Sequence, residues 1–385
     1  MGYVEKKIRG IVEGSGCGAI MAFGPDNFRY LTGALLPFAQ SYPERNAVAV
    51  VPEEGKSFVV APVDWVEAVR DQGLKGEAIA YDENEAPPPR AFVKALAREL
   101  EGRGLSGSRL GFDASRASEG LLRAVKEVVP STSFVSVDEK LWEARMIKAP
   151  EEVALIEKAS LIADRGIIHA LNHLEGTLEG PGYTIPEFTE RTRVHIFESG
   201  GSGVGLLATA FGTEAQFVYT PQRGSFAKGE IFGIDVSSHC SGYWTSLRRM
   251  CFTGPPPPEY CSAYADNIAL KSAAEGLLEP GARCDEVYMK VLDEALREDI
   301  PLCADSEIGH GVGVSHYEAP YLRLGYSRAL ESGMVIALDI QTYGPRKEII
   351  SSKDVYEVVG GGCRKLSWYK NWNTLYEVIG FRAAH

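Results

Sequence analysis

The spacing of apolar residues changes character between Leu141 and Ala149, and that change imposes a two-domain reading of the chain. Before it, short strand-like runs alternate with helical ones. Ala19–Phe23 is apolar and runs into the turn residues Gly24-Pro25-Asp26-Asn27. Asn46–Pro52 (NAVAVVP) and Ser57–Ala61 (SFVVA) read as β-branched strands around a Glu53-Glu54-Gly55 turn. Arg90–Gly102 has the spacing of an amphipathic helix, and Leu110–Phe112 that of another strand. The pattern is α/β. Beyond the change lies a long helical stretch, Glu151–Leu171, with Pro150 placed for its first turn. Pro186–Glu198, Asp266–Leu278 and Asp285–Arg297 read as further helices, and Ile231–Ser237, Gly242–Phe252, Met334–Ile340 and Tyr356–Val359 as strands. Grouped strands with helices around them predict an α+β second domain. The expected division is 1–143 and 144–385, each large enough for its own core.

Charge and composition exclude several function classes. A formal net charge of -12 argues against nucleic acid as a partner, because phosphate recognition needs a basic face. No run approaches the roughly 18 apolar residues that span a bilayer, so no membrane partner is expected. The N-terminal stretch lacks a secretory apolar core, and the expected location is cytoplasmic. Seven cysteines (17, 240, 251, 261, 284, 303 and 363) are scattered without a C-x-x-C pair, which suits reduced buried thiols. Cys240, after His239, is the one with a histidine beside it in sequence. The glycine cluster 200–205 (GGSGVG) lacks the preceding strand and spacing of a dinucleotide loop and reads as a turn at a pocket rim. Pro255–Pro258 reads as a rigid connection.

Five segments then point one way. Leu141-Trp142-Glu143-Ala144-Arg145-Met146-Ile147-Lys148 precedes Pro150-Glu151-Glu152; Gly229-Glu230-Ile231-Phe232-Gly233-Ile234-Asp235 is followed by Gly242-Tyr243 and Arg249. His310-Gly-Val-Gly-Val-Ser-His316-Tyr-Glu318-Ala-Pro320 and Glu331-Ser332-Gly333-Met334-Val335 through Asp339 come next, and Asn27–Gly33 (NFRYLTG) lies in the first domain. In this order they resemble the creatinase/prolidase/aminopeptidase P family over nearly the whole chain. The resemblance implies a creatinase-type α/β N-terminal domain and an α+β "pita-bread" C-terminal domain. It also implies a homodimer in which the N-terminal domain of one subunit closes the site of the other.

The departures from the family are as informative. Its peptidases hold two metal ions with two Asp, one His and two Glu, and the ions activate a bridging water. By motif those positions are here Asp235, Ser246, His310, Asp339 and Lys353. The two carboxylates that would bridge the metals are missing, and an ammonium at one of them repels a cation. The resemblance therefore implies a site without metal or other cofactor. Creatinase is the family precedent for metal-free hydrolysis of a carbon–nitrogen bond. Its catalytic histidine, however, corresponds by resemblance to about Phe217-Val218-Tyr219, and its guanidinium-binding acid to Arg248, so creatine is not the expected substrate.

The expected catalytic residues are His310, Asp339, Lys353, Asp235 and His316. His310 is the proton carrier, being a metal-ligand position freed of metal. Lys353 stays open between a functional role, as base, clamp or Schiff-base former, and a structural one, as ion-pair filler of the metal void. Arg248, Arg45, Tyr243, Glu318 and His239 are expected to bind substrate, with Arg248 selecting an anion, Arg45 offered to the partner subunit and His239 in a hairpin. Arg249, on the opposite strand face from Arg248, is expected to be structural. The C-terminal aromatics Trp368, Tyr369, Trp372 and Tyr376 either serve an interface or cap the core. The leading function is hydrolysis of a C–N bond in a small carboxylate-bearing metabolite. The alternatives are lyase, isomerase or cyclase chemistry, a catalytically silent binding protein, and a single-metal Xaa-Pro-type peptidase.

Overall fold

The computed structural model describes residues 3–36, 44–84, 86–177, 183–211, 224–303 and 307–381. The expected counterpart of creatinase's histidine loop, Phe217–Tyr219, lies outside the described residues. The chain divides into two compact units, Met1–Arg145 and Met146–His385.

In the first unit, α1 (Tyr3–Ser15), α2 (Pro25–Thr32), α3 (Val63–Asp71), α4 (Pro88–Gly102), α5 (Glu119–Val128) and α6 (Asp138–Met146) accompany a six-stranded sheet. Its strands are β1 (Ala19–Ala22), β2 (Val48–Pro52), β3 (Phe58–Pro62), β4 (Glu77–Tyr81), β5 (Arg109–Phe112) and β6 (Ser133–Ser136). They lie in the order β4-β3-β2-β1-β5-β6, antiparallel at β1–β2 and β2–β3 and parallel elsewhere. Phe58, Tyr81, Phe92 and Leu96 fill one core of this unit. The Gly24–Asn27 segment, expected as a turn, instead opens α2. Pro25 suits a first helical turn, and the buried Asp113 carboxylate anchors the segment by accepting the N–H groups of Phe23 and Gly24 and the Asn27 Nδ2. Gly33, at φ 80°, closes the helix in the left-handed conformation that glycine tolerates best.

In the second unit, α7 (Pro150–Thr177), α8 (Ile185–Glu198), α9 (Pro258–Glu275) and α10 (Cys284–Arg297) accompany β7 (Gly203–Phe211), β8 (Ile231–Cys240), β9 (Tyr243–Thr253), β10 (Gly309–Gly311), β11 (Glu318–Tyr321), β12 (Val335–Tyr343), β13 (Ile349–Val359), β14 (Gly362–Lys365) and β15 (Tyr376–Val378). The main sheet runs β11-β10-β12-β13-β9-β8-β7, with β14 on β13 and β15 on β9. Helices start earlier than the sequence periodicity suggests. The proline run is no free spacer: Pro257 caps α9 and Pro258 opens it. The glycine cluster is only partly a turn, because Gly203 begins edge strand β7. A Cβ on Gly205 would lie 2.7 Å from the Trp244 ring, so the absence of a side chain lets the strand lie against that indole.

Strand alternation decides which residues can form a site. Along β9, Tyr243 hydrogen-bonds Glu152 of α7, Thr245 meets Ser160, and Arg249 pairs with Asp164. These residues face the helices. Ser246 and Arg248 face the other way. On β13 the same alternation sends Asp354 to Lys271 of α9 and turns Ser351 and Lys353 to the helix-free face. The C-terminal segment caps the core: Trp372 is buried, its carbonyl accepts Tyr264 Oη, and β15 pairs with β9.

The β8–β9 register is fixed by a two-residue turn in which Ser241 and Gly242 have φ 49° and 81°. Positive φ at both centres is the tight hairpin geometry that matches strand twist. A Gly242→Val substitution puts a β-branched residue there. It is expected to lower stability by about 1–2 kcal/mol in urea unfolding monitored by circular dichroism.

Candidate active site

The helix-free face of the sheet gathers residues from five strands. Asp235 of β8 pairs in register with Arg248 of β9, Arg248 with Lys353 of β13, and Lys353 with Asp339 of β12. His310 of β10 lies opposite Ala337, two residues before Asp339 on the same face. β13 starts well before the expected Tyr356, and Tyr343 pairs with Ile349 across a short Gly344–Glu348 connection. That connection is what brings Lys353 opposite Asp339.

Two cations sit between two carboxylates. Arg248 donates through Nε (3.1 Å) and Nη2 (2.5 Å) to Asp235 Oδ2. Its Nη1 lies 3.4 Å from Asp339 Oδ2 and donates to Ser351 Oγ at 3.0 Å. Lys353 Nζ stands 3.2 Å from Asp339 Oδ2 and 3.6 Å from Asp235 Oδ2. Ser351 Oγ and Gln341 Nε2 also donate to Asp339, at 2.7 and 3.1 Å. Burial alone would raise the Asp339 carboxyl; Arg248, Lys353, Ser351 and Gln341 hold it well below the usual carboxylate range. Ser246 Oγ accepts from Ser237 Oγ at 3.4 Å.

His310 is buried, and its pKa is pushed down to about 4, first by desolvation and then by the Lys353 charge. Its Nδ1 lies 3.0 Å from the Gly311 carbonyl, an acceptor only, so Nδ1 carries the proton and Nε2 is the proton-accepting atom. His316 is exposed, yet its pKa is lowered by partial desolvation and Lys353, while Asp235 acts in the opposite sense. Its ring stands 5.6 Å from Trp244, which in turn stands 4.5 Å from His239.

Several expectations change. Tyr243 does not bind substrate from this face; strand alternation turns it to α7 and Glu152. Glu318 is buried against Lys148 at 2.9 Å. Arg45 lies in the first unit, where it pairs with Glu83 and Asp64. His239 sits within β8 rather than in the hairpin turn, and its Nδ1 accepts the Gly242 N–H. Arg248 faces the site, but its charge is spent on Asp235 and Asp339, which removes the basis for its selecting an anion. Cys240 is buried, with Sγ 3.9 Å from the Gly200 carbonyl. The sequence reading missed Ser351, Gln341, Trp244, and a Tyr317–Glu307 pair. Tyr317 Oη donates to Glu307 Oε2 at 3.0 Å, and its ring lies 4.8 Å from that of His310. Position within the His310–Pro320 motif was the one available signal for Tyr317. Nothing local marked the others.

Residues 154–364 match metallopeptidase family M24, and residues 6–147 match the creatinase/prolidase N-terminal domain. The chain belongs to the M24 family. A creatinase of Bacillus sp. (strain B-0618) is 28% identical over 278 residues; that match spans 67% of this chain and 64% of the creatinase's length. The fold superposes on the X-Pro aminopeptidase of Thermotoga maritima MSB8 with a TM-score of 0.81 at 15% identity, covering 97% of this chain and 99% of that one. It matches a recombinant prolidase from Thermococcus sibiricus with a TM-score of 0.81 at 22% identity, covering 98% and 99%. These likenesses establish a creatinase-type N-terminal domain followed by an M24 pita-bread domain. Among the described residues no helix is long and apolar enough to cross a membrane.

The M24 metal pair does not fit the residues present. Guanidinium and ammonium occupy the space between Asp235 and Asp339, and no group of three or more His, Cys, Asp or Glu among the described residues is placed to hold an ion.

Two measurements probe this charge balance. Lys353→Met leaves Asp339 with one cation fewer and is expected to cost about 3–5 kcal/mol in urea unfolding, with much of that recovered in Lys353→Met/Asp339→Asn. His310, with a folded pKa of about 4 below an unfolded value of about 6.5, contributes stability that is present above the unfolded value and lost as pH falls from there toward 4. His310→Gln is therefore expected to flatten the stability–pH curve across that window.

Proposed function

We propose that this M24 protein is a hydrolase of carbon–nitrogen bonds in a small polar substrate that works without a metal ion. The observation that carries the reading is the placement of Arg248 and Lys353 between Asp235 and Asp339. Fixed side-chain charge then stands at the family's metal centre. Three further features support chemistry there rather than packing alone. His310 keeps a neutral imidazole with a defined proton-accepting Nε2. Lys353 carries three N–H donors and has two carboxylate partners, leaving one for an oxygen that gains charge as a tetrahedral centre forms. Glu307, whose carboxyl is raised chiefly by burial and lies in the field of Asp339 and Lys353, is a proton donor for a departing nitrogen.

In this reading His310 Nε2 takes the proton of an attacking water, Lys353 stabilises the oxyanion, and Asp339 holds Lys353 in place. The likeness to creatinase and to Xaa-Pro peptidases supports the C–N bond as the target. It also keeps a single-metal peptidase as the second reading.

The deciding experiment is elemental analysis by plasma mass spectrometry, before and after incubation with Mn, Fe, Co or Zn. Metal well below one equivalent per chain is expected, together with turnover of amide-type substrates that survives chelators. One or more tightly held ions would displace this reading in favour of the peptidase. A Ser246→Asp/Arg248→Ser/Lys353→Glu variant is expected to gain uptake of divalent metal, because it exchanges two cations for two carboxylate ligands.

A further inference from the structure

Among the described residues, every donor that reaches Asp235 reaches the same oxygen. Arg248 Nε and Nη2 and the Lys353 ammonium all converge on Oδ2. Oδ1 of that carboxylate is buried and has no hydrogen-bond partner among the described residues, and the side chain is 2% exposed. A buried carboxylate oxygen without a donor is costly, so such an atom in a candidate active site calls for a specific partner.

The charges around it restrict what that partner can be. Asp235 and Asp339 are balanced one for one by Arg248 and Lys353. An incoming carboxylate would have to draw one of those cations off its aspartate. An incoming ammonium or guanidinium would meet both cations at short range. A neutral N–H group avoids both conflicts, and it supplies the one thing Oδ1 lacks. His310, through Nε2, presents a second acceptor on the same sheet face.

We infer that Asp235 Oδ1 is the specificity-determining acceptor for a neutral N–H group of the ligand, of the amide, lactam or ureide class, and that this position rejects carboxylates. The inference rests on reading this face as the active site, and it deepens that reading by naming the group bound. It also turns the apparent anion-binding residues into internal counter-ions whose task is to orient Asp235.

The test uses the full-length protein and three probes: 2-pyrrolidinone, N-methyl-2-pyrrolidinone and acetate, titrated by saturation-transfer NMR. The two lactams have the same ring and carbonyl and differ in the N–H. Binding of 2-pyrrolidinone is expected, with the N-methyl compound about ten-fold weaker or worse and acetate weaker still. Asp235→Asn, checked for folding by near-ultraviolet circular dichroism, is expected to erase the difference between the lactams. If that variant does not fold, the lactam comparison on the unaltered chain still decides. Equal binding of the two lactams, tighter binding of acetate, or binding of none of the three overturns the inference. Retained N–H selectivity with no hydrolysis of any amide would count against the hydrolase reading alone.

Discussion

The second unit depends on the alternation of side chains along β9, which separates two consecutive arginines. Arg248 turns to the helix-free face and closes on Asp235 and Asp339. Arg249 turns to the helices, where Asp164 accepts from its Nε and Nη2 at 2.8 and 3.0 Å, Asp354 lies 2.9 Å from Nη1, and its guanidinium stacks over Trp372. Asp354 is further held by Lys271, Lys365 and Ser367. Two charge clusters thus stand back to back across one sheet, both deeply buried. Such burial is tolerable because each charge has an opposite partner and hydrogen bonds in reach. The helix-side cluster fixes α7 and α9 to the sheet, and the other prepares the site.

Register then converts this alternation into chemistry. The two-residue β8–β9 turn sets Asp235 opposite Arg248, and the short β12–β13 connection sets Asp339 opposite Lys353. A slip of one residue in either pair would send the carboxylate or its counter-ion through the sheet to the wrong cluster. The hairpin turns carry none of these charged groups, yet they decide whether the centre exists.

Between Asp235 and Asp339 the site carries the fixed monovalent charges of Arg248 and Lys353. The motif resemblance implies Ser246 and Lys353 as altered ligand positions. The geometry adds Arg248, which reaches both carboxylates, while the Ser246 hydroxyl accepts from Ser237. The compensating cation came from a neighbouring strand position as well as from a ligand position, because on a pleated face residues two apart share one surface.

The sequence by itself determined the two-domain organisation and the family, and its motifs named Asp235, His310, Asp339 and Lys353, which the strand register then brings to one face of the sheet. It also placed a lysine, whose charge is a property of residue type, beside those carboxylates. What it left undetermined was orientation. Tyr243 and Arg248 sit five residues apart on one strand, an odd spacing that sends them to opposite faces, and only the paired strands show which face holds the site. The polar run Ser351–Asp354 does not read as a buried strand, because it is stable only when Asp339, Asn267 and Lys271 arrive from distant segments to satisfy it. Glu318 and Arg45 were legible as functional residue types, but their charges are engaged by Lys148 and by Glu83 and Asp64. Only tertiary structure decides such pairings, because a side chain's partner is chosen by proximity in space and its identity alone says only what kind of partner it needs.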